Sequence, residues 1–376
     1  MRILHVYAQL DPAQGGPPIV VENLTKAQIK LGHDVRVAAE IVRGFDSVPT
    51  QKLLQHTAWS LFARPRPEDL SVVSSADVVH LHGVWEPVLP CLARAARIVG
   101  RPYVVSPHGM LDPWSLSQKA WKKKLALSLG YRRMLNQAGA IHVLNADEQN
   151  LILPLNFSAP LDVIPIGISF DQFDPLPSPI PFQNVTPGPG QRPFILFVSR
   201  LHSKKGLDYL ADAFAKIAPQ YPEYDLVVAG PDGGEEGPFQ RQIEKLGLSR
   251  RVWIVGFLPD DMKRSAMAAA TAFCLPSRQE GFSMAILEAM ACQLPVVISD
   301  QCHFPEVAEV GAGQIVPLDA NAVAKALESV LSNAAERTRM GNAGRELVKS
   351  RYTWPKVAEQ FLAPYRRMAP GAGKLK

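Results

Sequence analysis

Short apolar runs alternate with longer amphipathic ones along most of the chain. Ile3 to Ala8 reads as a buried strand, the run from Ile19 to Leu31 as an amphipathic helix ending at Gly32, and Asp34 to Ala39 as a second strand. The opening is therefore a β-α-β unit of the doubly wound kind. Val78 to His82 and Tyr103 to Ser106 continue as apolar strands with a helix, Val88 to Val99, between them, and Ala140 to Leu144 and Asp162 to Pro165 add two more strands. From Pro175 to Pro193 prolines and small residues dominate, which predicts a linker rather than a packed element. The alternation restarts with Phe194 to Val198, a helix from Leu207 to Ala218, and strands at Asp225 to Ala229, Val252 to Val255, Thr271 to Leu275 and Val296 to Ile298. The stretch from Ala320 to Arg367 is largely helical, with a break at Tyr352-Thr353-Trp354.

This pattern predicts an α/β protein of two Rossmann-like, doubly wound parallel-sheet domains facing across a cleft, with the ligand in the cleft. The expected boundaries are an N-terminal domain over 1–174, a linker over 175–193 and a C-terminal domain over 194–351. Residues 352–376 are expected to form a C-terminal helix packing back on the N-terminal domain, with a frayed tail. A length of 376 residues with 47% hydrophobic content is enough for two cores.

A net charge of +5, without the interleaved aromatics of a nucleic-acid surface, gives no reason to expect a nucleic-acid partner. The four cysteines form no C-x-x-C pair, so neither zinc nor a disulfide is expected. The apolar start soon meets Asp11 and Pro12, unlike a signal peptide, and no apolar run approaches a membrane span. The expectation is a cytoplasmic protein whose membrane contact, if any, is peripheral. Lys119 to Leu135 bears on that contact: it reads as a helix with Trp121, Leu125 and Leu129 along one side and Lys122, Lys123, Lys124, Arg132 and Arg133 elsewhere. Such a helix either lies on an anionic membrane surface or is a core helix with a solvated basic face.

The chemistry concentrates in Arg278 to Ala291, where Glu280 and Glu288 flank a glycine turn that opens into a helix. Gly281 permits close approach of a ligand, Ser283 stands at the N-cap position, and the start of a helix attracts phosphate. Glu288 falls about one turn inside the helix. The two carboxylates then either serve different parts of one extended ligand, accepting hydrogen bonds from sugar hydroxyls, or are one solvated and one capping glutamate. Two further phrases, His82-Gly83-Val84-Trp85-Glu86-Pro87 and His108-Gly109-Met110-Leu111-Asp112-Pro113, each follow a strand. A lone histidine there more often packs than catalyses, whereas two in register point to a site. Gly15-Gly16 either admits a diphosphate or makes a tight turn. The dinucleotide fingerprint G-x-G-x-x-G and the P-loop Gly-Lys-Ser/Thr phrase are both absent.

Glu280-Gly281-Phe282-Ser283 to Glu288, Ser199-Arg200-Leu201-His202-Ser203-Lys204-Lys205-Gly206 and His108-Gly109 together resemble the retaining glycosyltransferases of family 4, which have the GT-B architecture. The resemblance covers nearly the whole chain. It implies that Glu280 contacts the donor sugar near the transferred carbon and that Glu288 binds the ribose. Arg200 and Lys205 would hold the donor diphosphate together with Gly16, Phe282 and Ser283, while Gly256 would lie by the nucleobase. His108 would sit beside the reacting sugar, acting with Glu280 as a stabiliser and positioner rather than a covalent nucleophile. Trp85, Asp112 and Trp114 would face the acceptor. A guanidinium and an ammonium on the leaving diphosphate stabilise it without a metal, so no cofactor is expected. The implied activity is transfer of a hexose from a nucleotide-diphosphate sugar to a glycan or lipid-linked acceptor in surface polysaccharide assembly. The alternative is a non-catalytic nucleotide-sugar-binding partner of a synthase complex. Asp300-Gln301-Cys302-His303-Phe304-Pro305-Glu306 departs from the family, many of whose members carry a Gly-Gly pair there.

Overall fold

Strands buried on both faces cannot alternate polar and apolar residues, and the short Val, Ile, Leu and Ala runs of this chain form two parallel sheets. The computed structural model describes residues 1–11, 16–185, 188 and 191–368. In chain order the first strands are β1 (Arg2–Val6), β2 (Gln9–Leu10), β3 (Asp34–Ala39), β4 (Ile41–Val42) and β5 (Thr50–Lys52). They are followed by β6 (Val78–His82), β7 (Tyr103–Ser106), β8 (Ala140–Val143) and β9 (Leu161–Val163). Apart from the small β2/β4 pair, they form a sheet of order β5-β3-β1-β6-β7-β8-β9. The order reverses between β1 and β6, which leaves a crevice at their carboxyl ends. The second sheet holds β10 (Phe194–Val198), β11 (Asp225–Ala229), β12 (Val252–Gly256), β13 (Ala272–Leu275), β14 (Val296–Ser299) and β15 (Gly313–Val316). Its order is β12-β11-β10-β13-β14-β15, with the reversal between β10 and β13.

Two compact units result. One holds Met1–Gly167 together with the helix Trp354–Met368, and the other holds Ile168–Thr353. The C-terminal helix joins the first unit because Val357, Phe361 and Tyr365 bury one stripe against Leu24, Val78, Val104 and Ile164. Gly167 makes room for it: a Cβ there would lie 2.8 Å from the backbone nitrogen of Trp354.

Two expectations are corrected. The stretch expected as an unpacked linker over 175–193 belongs in large part to the second unit, and the crossing falls at Gly167/Ile168. Phe173 and Phe182 are buried in that unit's core, the helix Ile180–Val185 packs on the helix Asp260–Ala269, and the Phe182 amide donates to Ser265 Oγ at 3.0 Å. Proline content hid Phe182, which lies between the prolines, while Phe173 stands just before the first of them. The helix expected over Lys119 to Leu135 is broken instead into Ala120–Ala126, a π turn at Leu127–Tyr131 and Arg132–Asn136. Gly130, at φ 125°, makes the break. Trp121, Leu125 and Leu129 are exposed, so they do not form the buried side of a core helix. Gly15, Pro187, Pro189 and the tail from Pro370 lie outside the described residues.

Candidate functional site

In the second unit β10 and β13 lie side by side, so the loops that follow them meet at one edge. The loop after β10 carries Arg200 and the short 3-10 turn Ser203–Lys205, whose start is capped by the His202 ring accepting from the Lys204 amide at 3.2 Å. Gly206 closes the turn at φ 69°, and a Cβ there would lie 1.8 Å from the Pro276 carbonyl oxygen, so only glycine fits. The close approach sets Lys205 against the loop after β13. Lys205 Nζ donates to Glu280 Oε1 at 2.6 Å, and Ser277 Oγ donates to the same oxygen at 2.7 Å. Glu280 is 8% exposed, and its own amide donates to the Gln301 carbonyl at 3.0 Å. Arg278 braces the loop from outside through two bonds to Asp208, at 2.8 and 2.6 Å.

Arg200 is exposed and forms no ion pair with a described residue. Its stem runs along Gly233, where a Cβ would meet the Arg200 side chain at 3.0 Å. Gly281 is exposed, with open space around its Cβ position. Ser283 holds the N-cap position of the helix Met284–Ala291 without a capping bond from its side chain. The ring of Phe282 packs with Phe304 and Tyr352, at centroid distances of 5.6 and 6.0 Å. In the stretch that departs from the family, His303 takes φ 51°, the left-handed conformation that glycine adopts at least cost.

Glu288 sits in the helix Met284–Ala291 and accepts from Lys263 Nζ at 2.9 Å. Burial raises the Glu288 pKa above the usual carboxylate range, and Lys263 opposes that rise. Burial works against the Lys263 charge, yet Glu288 and Asp260 hold its pKa up. Sequence reasoning missed Lys263 because its partner lies on another helix. Gly256 ends β12 at φ 68° beside the exposed Phe257.

In the first unit the two histidine phrases converge. β6 pairs with β7 so that His82 lies opposite Ser106, and His108 follows two residues later. His108 and Gly109 take φ 51° and 74°, a turn that brings His108 Nε2 within 3.0 Å of His82 Nδ1. Burial drives the His108 pKa down to about 3. Glu148 holds this turn from beneath, accepting from the Gly109 amide at 3.1 Å and the Leu144 amide at 2.7 Å. Glu148 was not singled out from sequence, although its signal is there: Asn145 caps the helix Ala146–Ile152 by accepting from the Glu148 amide, the Asn-x-x-Glu spacing of a helix start.

Asp112 caps the helix Pro113–Ser117, accepting from the Ser115 amide at 2.6 Å. Trp85 is half-buried against Tyr131, with Lys123 Nζ 5.3 Å from its ring. The Trp114 side chain lies outside the described part, and Gly16 is exposed at the start of the helix Gly16–Lys30. Glu86, also not singled out, keeps one buried carboxylate oxygen without a hydrogen-bond partner among the described residues, and burial raises its pKa. His5, His80 and His82 bring ring nitrogens within 4.8 Å of one another, a spacing that suits a metal ion. All six of those nitrogens are already engaged in hydrogen bonds.

Residues 182–347 match the family model described as glycosyl transferases group 1, and residues 15–167 match that of the glycosyl transferase 4-like domain. An alpha-maltose-1-phosphate synthase of Mycolicibacterium smegmatis is 29% identical, over 80% of this chain and 82% of its own length. A phosphatidyl-myo-inositol mannosyltransferase of Mycobacterium tuberculosis is 30% identical, over 80% of this chain and 76% of its own length. Among solved structures, the Anabaena protein HepE in complex with UDP matches with a TM-score of 0.78 and 20% identity, over 96% of this chain and 99% of that one.

Proposed function

The chain belongs to the group 1 glycosyltransferases of family 4, with the GT-B fold and hexosyltransferase activity, and from that premise we propose its donor, acceptor and stereochemistry. It moves a hexose from a nucleotide-diphosphate sugar to a glycan or lipid-linked acceptor in surface polysaccharide assembly, with retention of anomeric configuration.

One observation carries the reading: the Lys205–Glu280–Ser277 cluster at the carboxyl edge of β10 and β13, with, on the same loop as Lys205, an exposed Arg200 that forms no ion pair with a described residue. A departing nucleoside diphosphate gains negative charge, and an unspent guanidinium beside a preorganised ammonium stabilises it. Glu280, held by two donors, presents a fixed carboxylate to the donor sugar, while Glu288 accepts from the ribose hydroxyls. Attack from the leaving-group face, with the donor's own phosphate taking the acceptor proton, gives retention without an enzymic nucleophile. His108, in the first unit, acts as a positioner of a ligand hydroxyl rather than as a nucleophile.

The UDP of the Anabaena structure supports a nucleotide ligand, and the phosphatidyl-myo-inositol acceptor in the mycobacterial relative's name supports a lipid-borne one. Peripheral contact with an anionic membrane on the cytoplasmic side belongs to the same reading. Among the described residues no helix is long and apolar enough to cross a membrane. Trp121, Leu125 and Leu129 nevertheless stand exposed in a stretch rich in lysines and arginines, and Leu129 lines a pocket of about 170 Å³ together with Arg94, Arg97 and Arg133.

The test is a calorimetric titration with UDP, GDP and ADP without added metal. Micromolar binding of one nucleotide, lost in a folded Arg200→Ala variant, is the expected result. Normal transfer by that variant counts against the assignment. Donor binding without product across a broad acceptor panel moves the non-catalytic partner ahead.

A further inference from the structure

Five histidines, two of them in the phrases that mark the site, lie together in the first unit: His5, His80, His82, His108 and His142. Among the described residues no carboxylate hydrogen-bonds to any of these rings. We infer that His82, His5 and Gln28 form a directional hydrogen-bond relay that locks His108 as the Nε2–H tautomer and leaves its Nδ1 as a bare acceptor. The inference rests on the reading of His108 as the ligand-facing histidine.

A neutral imidazole carries one proton, so each ring passes on a single direction. Four of the five rings are fully buried and His108 is partly exposed. Burial keeps all five neutral, lowering the pKa of His5 and His142 to about 4 and of His108 to about 3.

Two chains follow from the distances. In the first, the Ile164 carbonyl can only accept, so His142 donates to it from Nε2 at 2.6 Å and accepts from Ser106 at Nδ1 (2.7 Å). Ser106 must then accept from His80 Nε2 (2.6 Å), and His80 Nδ1 accepts from the Tyr365 hydroxyl (2.6 Å). The second chain ends at Gln28, whose carbonyl oxygen accepts from His5 Nε2 at 2.8 Å. The Gln28 amide nitrogen makes no hydrogen bond with a described residue; the Gln28 side chain acts on the Tyr365 oxygen, whose proton is already committed to His80, so turning the amide oxygen toward Tyr365 would set two acceptors against each other. His5 Nδ1 must accept from His82 Nε2 (2.8 Å), and His82 Nδ1 must accept from His108 Nε2 (3.0 Å). His108 Nδ1 is left without a protein partner among the described residues, on the one residue of the five that is not fully buried.

The consequence is a polarity rule for the site. His108 accepts a hydrogen bond from a ligand hydroxyl at Nδ1 and does not donate to a phosphate. His82, His5 and Gln28 are positioning residues that act through it.

The test is the ring-nitrogen NMR spectrum of the full chain with 15N-labelled histidine, His108 being assigned by its disappearance in His108→Asn. At neutral pH a protonated Nε2 and a bare Nδ1 are expected. A His108 protonated at Nδ1, or at both nitrogens, overturns the inference, and that reading needs no turnover and no variant beyond the one used for assignment. In His82→Phe the lock is removed: the His108 signals become those of mixed tautomers and the transfer rate falls by roughly tenfold to a hundredfold. Nucleotide affinity, set in the second unit, stays unchanged. His82→Asn, which keeps an acceptor for His108, restores the single tautomer and most of the rate; no restoration overturns the relay. A wild-type chain with the expected spectrum but no transferase activity would sink the functional reading and leave the relay standing.

Discussion

Replacing Lys263 with methionine keeps most of the side-chain volume and removes one charge of the pair that holds Glu288. In the native chain Lys263 Nζ lies 2.9 Å from Glu288 Oε1 and 3.3 Å from Asp260, with side-chain exposures of 20% for Lys263 and 16% for Glu288. Breaking a fully buried pair costs about 3–5 kcal/mol, because the remaining charge stays uncompensated. Glu288 has an escape, since it can take up a proton. Protonating at pH 7 a carboxyl of ordinary pKa near 4.5 costs at most about 3.4 kcal/mol, and at pH 5 only about 0.7 kcal/mol. The expected loss of stability in Lys263→Met is therefore about 2–3 kcal/mol at pH 7 and under about 1 kcal/mol at pH 5. The sign follows from the direction of the shift. Burial raises the folded-state pKa of Glu288, so the penalty is present above that pKa and disappears as the pH falls toward the unfolded-state value. Urea unfolding at the two pH values measures it. The double variant Lys263→Met/Glu288→Leu, which removes both charges, recovers most of the loss at pH 7. Equal losses at pH 7 and pH 5, or a loss within about 0.5 kcal/mol of zero at pH 7, would refute the claim that an uncompensated Glu288 is what Lys263 guards against.

Two further outcomes are expected. Burial would lower the His56 pKa, but Asp69 and Glu40, at 3.3 and 2.9 Å, raise it to about 9. The stability this gives the first unit is complete below the unfolded value near 6.5 and is lost as the pH rises through 9, a fall on the order of 1–2 kcal/mol after solvent screening. Thermal unfolding across that range measures it, and a His56→Gln variant that keeps the same slope removes the assignment. The membrane contact predicts co-sedimentation with vesicles rich in anionic lipid at low salt, weakened about tenfold or more in Trp121→Ser/Lys124→Glu and absent with neutral vesicles. Failure to bind anionic vesicles would remove that contact and leave the transfer chemistry untouched.

Strand order and chemistry differ in how far they could be read from the chain. The double β-α alternation, the restart at Phe194 and the Glu280 to Glu288 loop are all local in sequence, because burial on both faces of a parallel sheet demands continuous apolar runs and a glycine turn demands glycine. Lys204-Lys205-Gly206 is legible for the same reason, although why the glycine must be there emerges only when Pro276 arrives within 1.8 Å of its absent Cβ. The linker assignment failed because composition reports prolines and not the Phe182 anchor between them, whose burial depends on strands far along the chain. Lys119 to Leu135 showed a helical pattern in sequence, yet Gly130 at φ 125° breaks it and leaves Trp121, Leu125 and Leu129 in solvent while Tyr131, Met134 and Leu135 are buried.

By itself, then, the sequence determined the two sheets, the carboxyl-end loops and the residue types at the candidate site, since these rest on periodicity and on backbone requirements that neighbouring residues satisfy. Tertiary structure alone decided which charge meets which: Lys263 with Glu288, Lys205 with Glu280, Glu148 beneath His108, and the single proton order along His108, His82, His5 and Gln28. Those pairings join residues dozens of positions apart, and a proton's place on an imidazole is set by the partner it meets in space rather than by its neighbours in the chain.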